Sequence, residues 1–187
     1  MREIEVLAEL YDDVATAMGK LKNCEYKGDK RTVDTYYFDS KRKNLQMNAK
    51  HKLLECCRIR EKDGKYFVTY KVDKYDGGKW LYSDEYETEV KDLHAMEMIF
   101  DCLGLEVLVV VDNVKHTFET DDYEIVVEEV KGLGNFIEVE AKNDDERFSV
   151  NEVKAKIYQF IDNLGLNIGE ELNSGKPELL LCKKQAV

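Results

Sequence analysis

The side chains with chemical reach in this chain are carboxylates, lysines and arginines, and they recur at even spacing. Glu3 pairs with Glu5, Arg58 with Arg60, Thr69 with Lys71, Glu85 with Glu87, Asn113 with Lys115, Glu124 with Glu128, and Glu138 with Glu140. Even spacing places side chains on one face of an extended strand, so each pair reads as the polar face of a β-strand. Guanidinium forks and lysine point charges suit phosphate oxygens, and paired carboxylates suit hard cations such as Mg²⁺. If these faces look at one another across a lumen, they imply a metal-bound polyphosphate; on an open sheet they would simply face water.

Other chemistries fall away on residue count. Only His51, His94 and His116 are present, scattered, and the five cysteines form an odd set without C-x-x-C spacing, so neither a His/Cys metal centre nor a disulfide framework is indicated. Lys and Arg number 28 against 39 Asp and Glu, a net charge of −11 that repels polyanions and argues against nucleic-acid or membrane-surface partners. A phosphate ligand therefore needs a local basic site. Met1-Arg2-Glu3-Ile4-Glu5 lacks the apolar core of a signal peptide and no apolar run approaches bilayer length, which reads as a cytoplasmic protein. With 187 residues, 43% of them hydrophobic, the chain reads as one domain over 1–187 with a real core.

The elements that must position these pairs are mostly strands. Arg2–Leu10 alternates Glu3, Glu5, Leu7 and Glu9 with Ile4, Val6, Ala8 and Leu10; further strands are predicted over Val33–Asp39, Leu54–Lys62, Tyr66–Tyr75, Trp80–Lys91, Glu106–Glu119, Tyr123–Lys131 and Phe136–Lys142. Short turns such as Asp63-Gly64-Lys65 and Gly132-Leu133-Gly134-Asn135 join most of them as antiparallel hairpins. Helices are predicted from Asp12 or Asp13 to about Cys24, from Asp92 to Gly104, from the Ser149-Val150-Asn151-Glu152 capping box to Gly165, and briefly from Pro177. The basic stretch Lys41-Arg42-Lys43 lies in a loop over Asp39–Lys52 and reads as a solvated segment in preference to a mobile ligand-binding lid. Eight antiparallel strands can close into a barrel with the amphipathic helices outside and the charged faces inside, an α+β architecture.

Several segments, in order, resemble the CYTH or triphosphate tunnel metalloenzyme family, which includes class IV adenylyl cyclases, thiamine triphosphatases and inorganic tripolyphosphatases. Glu3-Ile4-Glu5-Val6-Leu7 is similar to an E-x-E-x-K signature, Asp34-Thr35-Tyr36-Tyr37-Phe38-Asp39 to D-T-Y-F-D, and Arg58-Ile59-Arg60 to R-x-R; Thr69-Tyr70-Lys71 and Glu85-Tyr86-Glu87 follow as basic and acidic strands, and Gly132-Leu133-Gly134-Asn135-Phe136-Ile137-Glu138-Val139-Glu140 resembles G-L-G-x-F-x-E-x-E. The resemblance implies an eight-stranded antiparallel tunnel. Its phosphate-binding cations would be Arg58, Arg60, Lys71 and Lys115, its Mg²⁺ or Mn²⁺ ligands Glu3, Glu5, Glu128, Glu138 and Glu140, with Glu85 and Glu87 as further acidic groups of the tunnel. The implied partner is a triphosphate-containing small molecule, and homodimerisation is compatible with this reading.

Leu7 departs from the signature by replacing its lysine, and Lys115 replaces an arginine fork by a point charge. The expected function is metal-dependent phosphoryl transfer on tripolyphosphate, thiamine triphosphate or ATP, by hydrolysis or by cyclisation, with no catalytic residue assigned. The alternative is a tunnel that binds a triphosphate or other polyanion without turnover, prompted by Leu7. Restoring lysine at position 7 is expected on this reading to tighten triphosphate binding.

Overall fold

A computed structural model describes residues 2–142 and 147–185. The predicted first strand is broken at Ile4 into β1 (Arg2–Glu3) and β2 (Glu5–Leu10). There follow β3 (Glu25–Phe38), β4 (Glu55–Lys62), β5 (Lys65–Asp76), β6 (Lys79–Val90), β7 (Glu106–Glu119), β8 (Tyr123–Val130), β9 (Gly134–Ala141) and β10 (Ile168–Glu171). All pair antiparallel in one sheet, in the order β1-β6-β5-β4-β3-β7-β8-β9-β2-β10. The break at Ile4 closes the tunnel: Glu3 pairs with Ser83 of β6, while Glu5 pairs with Glu140 of β9, so one short segment ties together the two ends of a long curled sheet. Beyond Glu3 the edge that β6 leaves is taken up by β10, paired with Ala8 and Leu10. Lys154 seals this seam, its ammonium 2.7 Å from the Trp80 carbonyl of β6 and 2.6 Å from Glu171 Oε1 of β10.

Two segments differ from the sequence expectation. β3 begins at Glu25 and not at Val33, because the polar stretch before Val33, which has no alternation to read, is held by pairing with β7 along its whole length. A register shift between Tyr26 and Gly28 bends it, with Gly28 at φ +111, a conformation that a side chain would strain. β10 is four residues long and was not predicted; only its partner β2 makes it a strand.

The helices α1 (Val14–Lys20), α2 (Leu93–Cys102) and α3 (Val150–Leu164) carry the predicted caps: Asp13 accepts from the Thr16 N–H at 2.8 Å, Asp92 from that of Ala95 at 2.9 Å, and Ser149 with Glu152 forms the capping box. α1 stops at Lys20, short of the expected Cys24. The outward strand faces, Ile4, Val6, Ala8, Ile125, Val127, Ile137 and Val139, pack under α1 and α3 with Leu21, Val153, Ile157 and Ile161. A second outer cluster joins Tyr37, Cys57 and Ile59 to Phe100 of α2 and to Leu45, in a short 3₁₀ turn over Lys43–Leu45. The basic loop lies outside the tunnel, where Arg42 sits 5.9 Å from the Tyr70 ring centroid. No helix among the described residues is long and apolar enough to cross a membrane.

The last helix, α4 (Lys176–Gln185), does not lie on the outside of the barrel as its fellows do. Leu180 packs against Leu7, Tyr36, Val109, Val111, Val130 and Phe136, an apolar collar at one end of the lumen. The lumen is thus charged along most of its length and apolar where α4 plugs it.

Candidate functional site

The inward faces enclose a cavity of about 230 Å³. One wall is cationic. Arg58 and Arg60 project from β4 beside Lys71 of β5 and Lys115 of β7, as alternation requires. Cross-strand register supplies their partners: Asp34 of β3 lies opposite Arg60 and accepts its fork, Nε to Oδ1 and Nη2 to Oδ2, both at 2.7 Å. Arg58 Nη1 is 3.5 Å from Asp34 Oδ2 and donates to the Tyr36 hydroxyl at 3.3 Å. Burial alone would raise the Asp34 pKa, but Arg58 and Arg60 outweigh it and hold the carboxyl below its ordinary range. Arg58 is 8% exposed, yet its Nε has no hydrogen-bond partner among the described residues. Lys71 bridges to the acidic side, contacting Glu3 and lying 2.7 Å from Glu85 Oε2.

The facing wall is acidic. Glu3, Glu5 and Glu140 come from β1, β2 and β9, and one carboxylate oxygen of each lies within 4.8 Å of the others. Glu5 is 6% exposed and its Oε2 has no hydrogen-bond partner among the described residues. Burial, compounded by Glu138 and Glu3, raises the Glu5 pKa well above normal. Burial and the charges of Glu3, Glu138 and Glu124 push Glu140 up to about 8. Three crowded carboxylates under such strain form an electrostatic demand for a cation, and an all-oxygen donor set suits Mg²⁺ or Mn²⁺.

Glu128 and Glu138 sit differently. Glu128 is fully buried; its Oε1 takes Lys115 at 2.9 Å and Lys176 at 3.0 Å, and its Oε2 accepts from Asn113 Nδ2 at 3.2 Å. Glu138 Oε2 is 2.5 Å from Lys176 Nζ. Against the burial penalty, Lys176 and Lys115 hold the Glu138 pKa well below normal. Of the five expected metal ligands, then, the structure gathers Glu3, Glu5 and Glu140, with Lys71 on Glu3 alone, while Glu128 and Glu138 both have ammonium partners. Glu85 is 3.9 Å from Arg58 and paired with Lys71; Glu87, exposed, accepts from Thr69 Oγ1 at 2.8 Å.

Sequence reasoning missed Asp34 and Lys176 as members of the site. Asp34 was legible, since it shares a strand face with Tyr36 at a spacing of two. Lys176 carried no such signal, because it opens a helix and reaches the lumen only through the docking of α4. Leu7 does face the lumen, packed within the collar and 2% exposed.

The sequence profile of the CYTH domain matches residues 1–171, and the chain belongs to that family. A Methanocaldococcus jannaschii protein named "Putative adenylate cyclase MJ0240" is 28% identical over 173 residues, covering 91% of this chain and 93% of the relative. The PH1819 protein of Pyrococcus horikoshii OT3 shares the fold with a TM-score of 0.78 at 25% identity, over 96% of this chain and 99% of that one. A Hippeastrum protein, described as a "putative adenylyl cyclase" with a dominant triphosphatase activity, superposes with a TM-score of 0.65 at 16% identity, over 97% and 96% of the two chains; it shows the fold.

Proposed function

We propose that this protein is a metal-dependent phosphoryl-transfer enzyme acting on a triphosphate: tripolyphosphate, thiamine triphosphate or ATP. The observation that carries this reading is the pairing, across one cavity, of a buried Arg58 Nε and a buried Glu5 Oε2, each without a hydrogen-bond partner among the described residues. Buried polar atoms are rarely left unsatisfied, and a ligand that is anionic on one side and carries a cation on the other satisfies both. Membership of the CYTH family supports a triphosphate-related activity.

Arg58, Arg60, Lys71 and Lys115 would neutralise the phosphate oxygens, exchanging internal carboxylate partners for the ligand. Glu3, Glu5 and Glu140 would hold Mg²⁺ or Mn²⁺, which when bound supplies Lewis-acid polarisation of a phosphoryl oxygen and orientation of the attacking group. Ionisation of Glu5 and Glu140, made costly by burial and neighbouring carboxylates, would be relieved by that same ion. Attack by water would give hydrolysis; attack by a ribose hydroxyl would give a cyclic nucleotide. The Hippeastrum protein's description joins both activities on one fold.

The test is a screen of phosphate release and cyclic-nucleotide formation over the three substrates with Mg²⁺ or Mn²⁺. The expected result is metal-dependent turnover of at least one, abolished by Glu140→Gln. A second reading, binding without turnover, is favoured by one observation, the apolar Leu7 on the lumen wall; tight triphosphate binding with no product from any substrate would establish it instead.

A further inference from the structure

We propose that Lys176 is a built-in cation of the tunnel, occupying the Glu128–Glu138 carboxylate pair so that the site takes one divalent ion, on Glu3, Glu5 and Glu140, and not two. The inference rests on the divalent-cation reading above and refines it to a stoichiometry.

The five expected ligands fall into two carboxylate groups, Glu128 with Glu138 and Glu3 with Glu5 and Glu140, and they differ in what already binds them. Glu128 receives three donors, Lys115 and Lys176 on one oxygen and Asn113 on the other, and Lys176 reaches Glu138 at 2.5 Å. A carboxylate bound by two ammonium groups and an amide has its acceptor capacity largely spent. A divalent ion at this place would also lie beside an ammonium whose charge is firmly held, since Glu128, Glu138 and Glu5 outweigh its burial and raise its pKa. The trio is less filled: Lys71 contacts Glu3, and no ion pair to Glu5 or Glu140 is formed among the described residues. Glu5 is nine-tenths buried, its Oε2 is unpartnered among the described residues, and one of its carboxylate oxygens lies within 4.8 Å of those of Glu3 and Glu140.

Lys176 is placed by architecture, and not by a mobile side chain finding a convenient partner. Its helix is docked through Leu180 on the collar, and the strand before it is tied by the Leu172 N–H donating to the Leu7 carbonyl at 2.8 Å. Asn173 Oδ1 accepts from the Trp80 N–H at 2.8 Å, and Lys52 Nζ donates to the Asn173 carbonyl and to Ser174 Oγ. On the far side of Lys176, Glu178 Oε1 accepts from the Leu53 N–H at 3.2 Å. Leu7 contributes to this placement: directly opposite Glu138 in register, it offers no charge to that carboxylate and instead supports the helix whose lysine does.

The experiment is Mn²⁺ alone titrated into the full chain at pH 8, with bound ion counted from the loss of the free Mn²⁺ electron paramagnetic resonance signal. The parent is expected to bind one ion. Lys176→Met, shown folded by circular dichroism, is expected to bind a second, and Glu138→Gln to retain one ion, whereas Glu140→Gln weakens that ion at least tenfold. Two ions in the parent, a single ion in folded Lys176→Met, or loss of the parent's ion in Glu138→Gln would overturn the proposal. If Lys176→Met does not fold, the Glu138→Gln and Glu140→Gln pair decides the matter. Absence of any ion from the parent has a different signature and would overturn the underlying cation reading as well.

Discussion

Two acidic groups of the tunnel wall, Glu128 with Glu138 and Glu3 with Glu5 and Glu140, have opposite electrostatics. Glu128 and Glu138 are neutralised from within by Lys115 and Lys176, and the Glu138 pKa is held low. Glu3, Glu5 and Glu140 share little beyond Lys71 on Glu3, and their pKa values are raised by burial and by neighbouring carboxylates, Glu138 among them. Carboxylates of one tunnel thus form a structural ion-pair network in one place and a crowded, incompletely neutralised cluster in the other. What distinguishes them is how many carboxylates an ammonium contacts: Lys115 and Lys176 serve both Glu128 and Glu138, whereas in the trio Lys71 contacts Glu3 alone.

Removing a carboxylate should therefore have opposite effects in the two groups. Glu128→Gln removes the fully buried carboxylate that neutralises Lys115 and shares Lys176 with Glu138, and should cost about 3–5 kcal/mol of stability, the usual penalty for breaking a buried pair. Glu5→Gln or Glu140→Gln should leave the metal-free protein as stable or more stable at pH 8, because it relieves repulsion. Urea denaturation in EDTA measures both, and a loss of stability for the trio variants comparable with that of Glu128→Gln would erase the distinction.

Leu7 offers the next largest effect. The sequence reading expects Leu7→Lys to restore a missing cation, but the side chain is 2% exposed in the collar that seats Leu180. A charged, longer side chain there should cost about 2–4 kcal/mol by overpacking and desolvation, and should undock α4, visible as raised amide exchange over α4. The penalty should be smaller in a Lys176→Met background, where Glu138 lacks its own ammonium. Tighter triphosphate binding by Leu7→Lys at undiminished stability would favour the sequence reading.

Metal affinity sharpens the contrast on a finer scale. Glu140→Gln is expected to weaken Mn²⁺ binding by about 10- to 100-fold, or about 1.4–2.8 kcal/mol, by calorimetry. In the parent, binding should release protons below pH 8, since Glu140 titrates at about 8 without the ion. Buffers of differing ionisation enthalpy read this directly; a buffer-independent heat would contradict it.

The smallest effect concerns the plug. Glu178 on α4 is 2% exposed, and burial, with Asp73 nearby, lifts its pKa to about 7 despite the Leu53 N–H that lowers it. A carboxyl raised on folding contributes its full stability below its unfolded value of about 4.5 and loses it as pH rises towards 7. Glu178→Gln keeps an acceptor for Leu53 and should flatten this part of the decline, gaining about 1–2 kcal/mol over the parent at pH 8 and nothing at pH 4. Equal pH profiles for the two proteins would remove Glu178 as a cause.

Much of this arrangement is written into local spacing. Alternation alone determined which side of each strand is polar, so Glu3, Glu5, Arg58, Arg60, Lys71, Lys115, Glu138 and Glu140 all line the cavity as expected. Capping residues and glycines determined three helices to within a few positions, because those signals act over one helical turn. Order and chemistry of the strand motifs sufficed to indicate the family.

Tertiary structure decided which charges meet. The break at Ile4 that closes the sheet, the edge strand β10 and the extension of β3 exist only because a distant partner is present, and no local pattern encodes them. The division of the acidic residues has the same origin. Glu138 and Glu140 are indistinguishable in sequence, two residues apart on one strand face, but Lys176, 38 positions along the chain, touches only the first of them. Ion-pair energies fall within a few ångströms, so the identity of each carboxylate's neighbour, which folding alone sets, decides whether it is spent on structure or left to bind a cation.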